Sequence, residues 1–447
     1  MMRSLARVSF VLAAIVGLAG CASPEADPPA RPNILLISLD ALRADHLSCD
    51  GYDRHTTPFL DELAARGTRF SHASVNTHGT PSSHTTMLSA LYQETHRVWA
   101  DPASGSRRAP SIPLEVDLLQ ETLGREGWST AAATGGGWMS ASYGFSRGFD
   151  FFSDEGRTAD QGAGLLMETL GQALTTGRPV FAFFHTYQVH SPYQPPDGYH
   201  NLFGEYSGSI EPTSEALRPL STNAAKHLDQ GDFDFLVSQY DGEIRFLDDS
   251  LRELFGRLEE IGFLDNTVVL ITADHGEEFG DHGGLLHRGT LFEELVRVPF
   301  IVWGRGVPAG AVDPTLVSTI DIAPTLLAAA GIEPPAIMEG RNVLAPSTTP
   351  WAEQRIFAQY RNAIYSVRTP RFKLISGAGG RRMLFDLVRD PGERRNLVDR
   401  QPELAASLAA ELDAWRQARP QLEGSATATT DLDPATEDRL RALGYLD

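Results

Sequence analysis

Uninterrupted apolar runs recur along the chain, and several end on a side chain that does chemistry. Residues 33–38 (Asn-Ile-Leu-Leu-Ile-Ser) lead to Asp40, and residues 266–272 (Asn-Thr-Val-Val-Leu-Ile-Thr) lead to Asp274 and His275, followed at once by Gly276. Apolar runs of this length bounded by turn residues predict strands buried on both faces. Further buried strands are predicted at 130–134, 180–184 and 298–303. Between them the apolar period changes to 3.6, predicting helices over 57–66, 114–126, 233–261 and 320–330, the first opened by Thr-Pro and closed by Gly67. Strands alternating with helices predict an α/β fold: a large mixed, mainly parallel sheet sandwiched by helices. Carboxylates and an imidazole at the carboxyl ends of such strands lie where open α/β sheets bind ligands.

The pattern changes near 346–350. Short alternating runs at 356–360, 363–367, 373–375 and 383–386, then a helical pattern over 402–416, predict a small C-terminal α+β subdomain. The expected organisation is a leader at 1–20, a tether at 21–31, a catalytic domain at 32–345, the subdomain at 346–420, and a linker with one short helix at 421–447. The connection over 194–219 is long, polar and rich in Gly and Pro, so it is expected to border the site.

The first twenty residues carry Arg3 and Arg7 before an apolar stretch too short to span a bilayer comfortably. They end in Leu18-Ala19-Gly20-Cys21, which resembles a bacterial lipoprotein signal; that pattern implies export to the cell envelope and a membrane anchor through lipid on Cys21. An ordinary cleaved leader is the alternative. The chain has 447 residues and two cysteines, so a lipidated Cys21 leaves Cys49 without a disulfide partner and stability to the core. With 38 Lys and Arg against 58 Asp and Glu the formal charge is −20. A chain this acidic lacks the basic footprint of a nucleic-acid binder.

A third chemical element is Thr80-Pro81-Ser82-Ser83-His84-Thr85-Thr86, hydroxyls crowded where a helix is predicted to begin. A helix N-terminus favours anions, and a metal-bound hydroxyl there becomes a nucleophile. The same residues serve equally well as a Ser/Thr-rich cap.

Taken together, Leu39 to Asp45 with Gly51-Tyr52, Thr80 to Tyr92, His185 to Pro196, Tyr240 to Ile244, Asp274 to Pro299, and the C-terminal Leu384-Phe385-Asp386-Leu387 with Asp390-Pro391-Gly392-Glu393 resemble the sulfatase family of the alkaline phosphatase superfamily. The order and spacing of these motifs, rather than any one of them, carry the resemblance. It implies a metal-dependent hydrolase of sulfate or phosphate esters. Asp40, Asp274 and His275 match the metal ligands, with the Thr80 hydroxyl completing the set. Thr80 falls at the nucleophile position, His190 at that of a histidine touching the transferred group, and His287 near the leaving group. One divalent ion is implied. The imidazole favours Mn²⁺ or Zn²⁺, and Ca²⁺ or Mg²⁺ stay open. The substrate would be a small-molecule, lipid or glycan ester.

The sequence also departs from the family. Thr80 stands where sulfatases carry a Cys or Ser converted to formylglycine, and threonine cannot follow that route. Ala41 replaces a second Asp, His84 replaces an Arg, and the Lys-x-His element is not evident in Gly135-Gly136-Gly137-Trp138. A metal-bound threonine fits superfamily members that handle phosphoryl esters. A phospho-alcohol transferase acting on envelope lipids or glycans shares the chemistry up to the acceptor. A degenerate, sulfatase-fold binding protein is the non-enzymatic alternative. Among nearby residues, His78 and His282 are expected to be structural hydrogen-bonders or pocket walls, and Glu277 and Glu278 partners of His275 or solvated. His185 is expected just behind the ligands, Asp45 and Asp241 in local backbone caps, and Arg43 in an ion pair or on a phosphate.

Overall fold

A computed structural model of the protein describes residues 31–99, 108–206, 208–287, 289–420, 422 and 428–446. The leader, Cys21 and the tether up to residue 30 lie outside the described residues. An eight-stranded sheet runs in the order Ala311–Ser318, Thr68–Ser74, Phe300–Gly304, Thr267–Thr272, Asn33–Leu39, Val180–Thr186, Ser129–Ala133, Phe151–Ser153. Phe300–Gly304 is antiparallel to both its neighbours, and the other pairs are parallel. The mixed, mainly parallel sheet expected from the alternation is therefore present.

Asn33–Leu39 lies at the centre, in register with Thr267–Thr272 on one side and Val180–Thr186 on the other. From Ile34 on it is wholly buried, as are all residues of its two neighbours, which is what their apolar runs require. Fully burying one such Val, Leu or Ile contributes roughly 1.5–3 kcal/mol. Parallel register carries the three strand ends to the same edge, so Asp40, Asp274 and His185 emerge side by side.

Helices cover both faces. The longest, Gln230–Glu260, opens on a reciprocal cap between Asp229 and Asp232. The helix Leu119–Arg125 is shorter than its periodicity predicts, beginning five residues later, and Leu114 is 84% exposed. The edge strand Ala311–Ser318 and its neighbour Thr68–Ser74 were not expected. They mix polar with apolar residues, and the first carries Pro314 where the pairing register shifts.

The C-terminal strands are Ile356–Tyr360, Ile364–Arg368, Phe372–Ser376 and Arg382–Asp386, a four-stranded antiparallel meander followed by the helix Pro402–Gln417. The expected flexible linker at 424–430 is in part a strand: Ala428–Asp431 pairs antiparallel with Arg108–Ser111. The helix Pro434–Ala442 follows. Among the described residues no helix is long and apolar enough to cross a membrane.

Candidate active site

The turn after the central strand places Asp40. Its amide donates to the Thr186 carbonyl at 3.1 Å. Ala41 then takes φ +60°, a left-handed conformation costly for a non-glycine residue. Two bonds hold it there: the Ala41 amide donates to Asp274 Oδ1 at 3.3 Å, and the Tyr240 hydroxyl donates to the Ala41 carbonyl at 2.7 Å. Ala41 thus contributes an amide where the family places a second carboxylate.

Asp40, Asp274 and His275 form a group whose ligand atoms lie within 4.8 Å of one another. His275 Nδ1 donates to the Gly276 carbonyl at 2.8 Å, so its Nε2 is turned inward, where burial opposes a charge but the facing Asp274 and Asp40 outweigh it and raise the pKa of the ring. That Nε2 lies 3.8 Å from Asp40 Oδ1 and 3.6 Å from Asp274 Oδ2. All three facing atoms are buried without a hydrogen-bond partner. Orphaned buried polar atoms are costly, and three converging lone pairs are what a divalent cation satisfies. Burial pushes both carboxyls up to about 6, and for Asp274 repulsion from Asp40 adds to it. A bound cation reverses that penalty. The residues therefore fit a divalent cation.

Thr80 is the first residue of the helix Thr80–Ser89, behind Gly79 at φ +107°. Its hydroxyl donates to Asp40 Oδ2 at 3.3 Å. The neighbouring hydroxyls are engaged elsewhere, Ser82 with the Gly79 carbonyl and Ser83 with the Asp274 carbonyl. His84 is not a cationic substitute for arginine. Burial holds it down to about 3, and its neutral ring donates from Nδ1 to the Thr80 carbonyl while Nε2 accepts from Ser38. His185 stands behind Asp40 as expected: Nδ1 accepts from the Gly135 amide, leaving Nε2–H to donate to Asp40 Oδ2 at 3.4 Å.

His190 and His287 close the site from the opposite side, their ring centroids 5.0 Å apart. His190 donates from Nδ1 to the Ser191 carbonyl at 2.7 Å, and burial, then His287, hold it down to about 3. It is therefore neutral and presents a lone pair at Nε2. His287 donates from Nδ1 to Glu277 Oε1 at 3.0 Å and stacks on His275 at 4.2 Å.

Here the structure corrects some expectations and decides between the alternatives of others. Glu277 orients His287 and not His275. Glu278 is not solvated: its Oε1 accepts from the His282 and Gly284 amides. Arg43 is committed to Asp45, Asp281 and the Glu277 carbonyl, so it is a buried structural pair and does not face the cleft. Asp241 bridges side chains, His46, Tyr52 and Arg54, where a backbone cap was expected. His282 is structural, bonded to Glu294 and the Glu393 carbonyl, whereas His78 lines the cavity, stacked on Tyr360 at 4.2 Å. Of the 194–219 connection, Arg218 reaches the cavity wall.

The residue that the sequence did not reveal is Tyr445. Its hydroxyl lies 2.9 Å from His190 Nε2, 3.3 Å from His287 Nε2 and 3.4 Å from Thr80 Oγ1. A cavity of about 440 Å³ opens beside these four residues, walled also by Trp138 and Tyr360.

Comparison with known proteins agrees with this geometry. The family described as Sulfatase matches residues 32–332, and the C-terminal region described as N-sulphoglucosamine sulphohydrolase, C-terminal, matches 280–418. The chain belongs to the sulfatase family, metal-dependent hydrolases of sulfuric and phosphoric ester bonds. It is 25% identical to bovine (Bos taurus) arylsulfatase A over 89% of this chain and 88% of that protein. It is 23% identical to an N-acetylglucosamine-6-O-sulfatase of Bacteroides thetaiotaomicron over 86% of each. A match to mouse (Mus musculus) arylsulfatase K reaches 32% identity but spans 37% of this chain and 33% of that one. Among solved structures, the phosphonate monoester hydrolase of Agrobacterium radiobacter shares the fold with a TM-score of 0.70 at 21% identity, covering 90% of this chain and 100% of that one.

Proposed function

We propose that the protein hydrolyses phosphoryl esters, phosphate or phosphonate, in preference to sulfate esters, with Thr80 as its nucleophile. One observation carries the reading: the nucleophile position holds a threonine whose hydroxyl meets Asp40 Oδ2, beside three orphaned atoms suited to a cation. Asp40, Asp274, His275 and the Thr80 hydroxyl would hold one divalent ion, Mn²⁺ or Zn²⁺ rather than Ca²⁺, because an imidazole belongs to the set. When bound, the ion supplies a positive charge that favours the Thr80 alkoxide and the negative oxygens of the transferred group.

Thr80 Oγ attacks the ester and forms a covalent phosphothreonine. His287, its ring fixed by Glu277, protonates the departing alcohol oxygen. His190 offers its Nε2 lone pair to a hydroxyl beside the nucleophile. Water then takes the alcohol's place and releases the phosphate by the reverse path. The aromatic cavity wall gives the alcohol portion, aryl, glycosyl or lipid headgroup, an apolar face to lie on. Export and a lipid anchor at Cys21 complete the reading and put the enzyme in the cell envelope. A Cys21→Ala variant should then leave the membrane fraction, and unchanged membrane association would remove the anchor.

The direct test is a turnover screen of aryl phosphate, phosphate diester, phosphonate and sulfate esters with several divalent ions, using wild type and Thr80→Ala. Phosphoryl esters should turn over best, and mass spectrometry of trapped wild-type enzyme should find phosphate on Thr80. Sulfate turnover that survives in Thr80→Ala would overturn the assignment.

A further inference from the structure

The Thr80 hydroxyl must lose its proton as it attacks. Its two near oxygens are Asp40 Oδ2 and Tyr445 Oη. Asp40 Oδ2 already accepts from His185 Nε2–H at 3.4 Å, and its carboxylate would share its charge with a bound cation, so it is a poor proton acceptor. Tyr445 Oη remains, and from it the two imidazole Nε2 atoms lie at 2.9 and 3.3 Å. Both imidazoles spend their Nδ1 hydrogens elsewhere, on the Ser191 carbonyl and on Glu277. In their neutral forms both offer lone pairs to the phenol, whose single hydrogen goes to one of them at a time. The two differ in what lies behind them: a neutral carbonyl behind His190, a buried carboxylate behind His287. Only the second arrangement stabilises an imidazolium.

We propose that Tyr445 is a catalytic residue that carries the Thr80 proton to His287. As Thr80 Oγ forms its bond to phosphorus, its proton passes to Tyr445 Oη, and the phenol's own hydrogen passes to His287 Nε2. Glu277 holds the imidazolium, and the hydrogen that Tyr445 Oη has gained from Thr80 then donates to His190 Nε2, which holds the phenol in place. The bond from phosphorus to the leaving oxygen breaks with its electron pair, and that oxygen takes the proton from His287 Nε2. The proton gained from the nucleophile is thus the one given to the leaving group, and nothing else is consumed. Hydrolysis of the phosphothreonine runs the same steps backwards with water in place of the alcohol.

The chain around Tyr445 is built to hold the phenol still, as a catalytic group requires and a displaceable plug does not. The helix Pro434–Ala442 ends in a Schellman motif: the Tyr445 amide donates to the Leu440 carbonyl at 2.8 Å and the Gly444 amide to the Arg441 carbonyl at 2.9 Å. Gly444 sits at φ +77°, and a Cβ there would come within 2.5 Å of Ser214 Cβ. Leu440 and Leu443 are buried, and Arg439 Nε donates to the Gly135 carbonyl at 3.0 Å. Asp433 caps the helix and accepts from Ser142. Trp138 meets the Tyr445 ring edge-on at 5.6 Å. The cavity remains open beside the phenol, so substrate can enter with Tyr445 in place.

The inference rests on Thr80 being the nucleophile, and the test separates the two. Full-length protein loaded with Mn²⁺ is assayed on the best of 4-nitrophenyl phosphate, phenylphosphonate and sulfate, as wild type, Thr80→Ala, Tyr445→Phe, His287→Ala and the Tyr445→Phe/His287→Ala pair. Tyr445→Phe keeps the ring on Trp138, so its melting temperature should stay close to wild type. Its kcat should fall roughly 10²-fold with KM nearly unchanged, the size expected for a lost proton-transfer partner. A 4-nitrophenolate leaving group needs no proton, so the double variant should be no slower than the slower single, as for residues acting as one unit. Undiminished or raised kcat in Tyr445→Phe, a loss confined to KM, or additive losses in the pair would each overturn the relay. Inactive Thr80→Ala beside undiminished Tyr445→Phe overturns the relay alone. Active Thr80→Ala overturns the nucleophile reading, and an inert wild type overturns both.

Discussion

The wall of the cleft that carries Asp40 and Asp274 stands on the two central strands, while Tyr445, facing it, depends on a strap of chain running from Ala428 to Leu446. Asp40 and Asp274 follow residues that are completely buried and paired in register on both sides. Their positions are consequences of the sheet. Tyr445 is aimed by a nine-residue helix, one left-handed glycine and a few polar contacts to loops. The first wall can be disturbed only by breaking the core. At Gly444 the second has no room for even a methyl group, since a Cβ there would come within 2.5 Å of Ser214 Cβ. A ligand set of buried carboxylates needs the rigid wall, because unpaired charge in the interior is expensive wherever the geometry slackens.

The largest effect should come from the helix start that meets the strand-edge wall. Thr80→Ala should lower kcat by several orders of magnitude. Removing one hydrogen bond to Asp40 should cost only about 1 kcal/mol of stability. Thr80→Ser should keep part of the activity. Near wild-type turnover in Thr80→Ala would transfer attention to the strap.

Next in size is loss of the ion. Chelation should abolish turnover reversibly and lower the melting temperature, since a cation at a hundred times its Kd stabilises the fold by about 2.7 kcal/mol. Asp274→Ala should bind no ion in a calorimetric titration and should lose the shift on chelation. A melting temperature indifferent to chelator in the wild type would separate the triad from metal binding.

How these two walls read in the sequence follows from how they are built. Asp40, Asp274 and His275 end long apolar runs, so period and position alone predicted their meeting. Thr80 was legible as a hydroxyl at a helix start, and the bonding of Ser82 and Ser83 away from the site separates it from them. Glu277 was assigned the wrong partner because neighbours in sequence at a turn diverge in space: it bonds to His287, ten residues on. Thr68–Ser74 and the edge strand Ala311–Ser318 were missed because both mix polar with apolar residues and carry no unbroken apolar run. Tyr445 is one aromatic residue on a short terminal segment, placed by tertiary contacts that no local period reports. The signal that existed was Leu440-Arg441-Ala442-Leu443-Gly444-Tyr445, a buried stripe ending in a C-terminal glycine stop, which marks a docked helix. It says nothing about what the helix docks on.

The strap wall gives a smaller, more local effect. Gly444→Ala forces a side chain into a left-handed conformation at a cost of roughly 1–2 kcal/mol and against Ser214. The expected outcome is a kcat loss in the direction of Tyr445→Phe, with metal affinity unchanged. Unchanged kcat with a lowered melting temperature would mean that the strap supports stability and does not aim the phenol.

The smallest effect on turnover is one on acid stability. His96 lies in the short helix behind the nucleophile helix, where the Val98 amide donates to its Nδ1 and its Nε2–H donates to Thr86 Oγ1. Burial alone holds its pKa down to about 3, against 6.5 for an exposed imidazole. The folded chain therefore keeps this ring neutral between those values while the unfolded chain protonates it. The unfolded state binds the extra proton, so this stabilisation is complete above pH 6.5 and is lost as pH falls toward 3, by at most about 1.4 kcal/mol per pH unit. His96→Gln cannot take up that proton, so its denaturation midpoint should fall less steeply across the same window, although its stability at pH 7 should be lower for the lost bonds. Both curves should be measured on metal-free protein, because His96 lies apart from the ligand set and its contribution should persist without the ion. Equal slopes in the two proteins would mean that acid acts elsewhere, and the helix carrying Thr80 would then owe nothing to the neutral ring behind it.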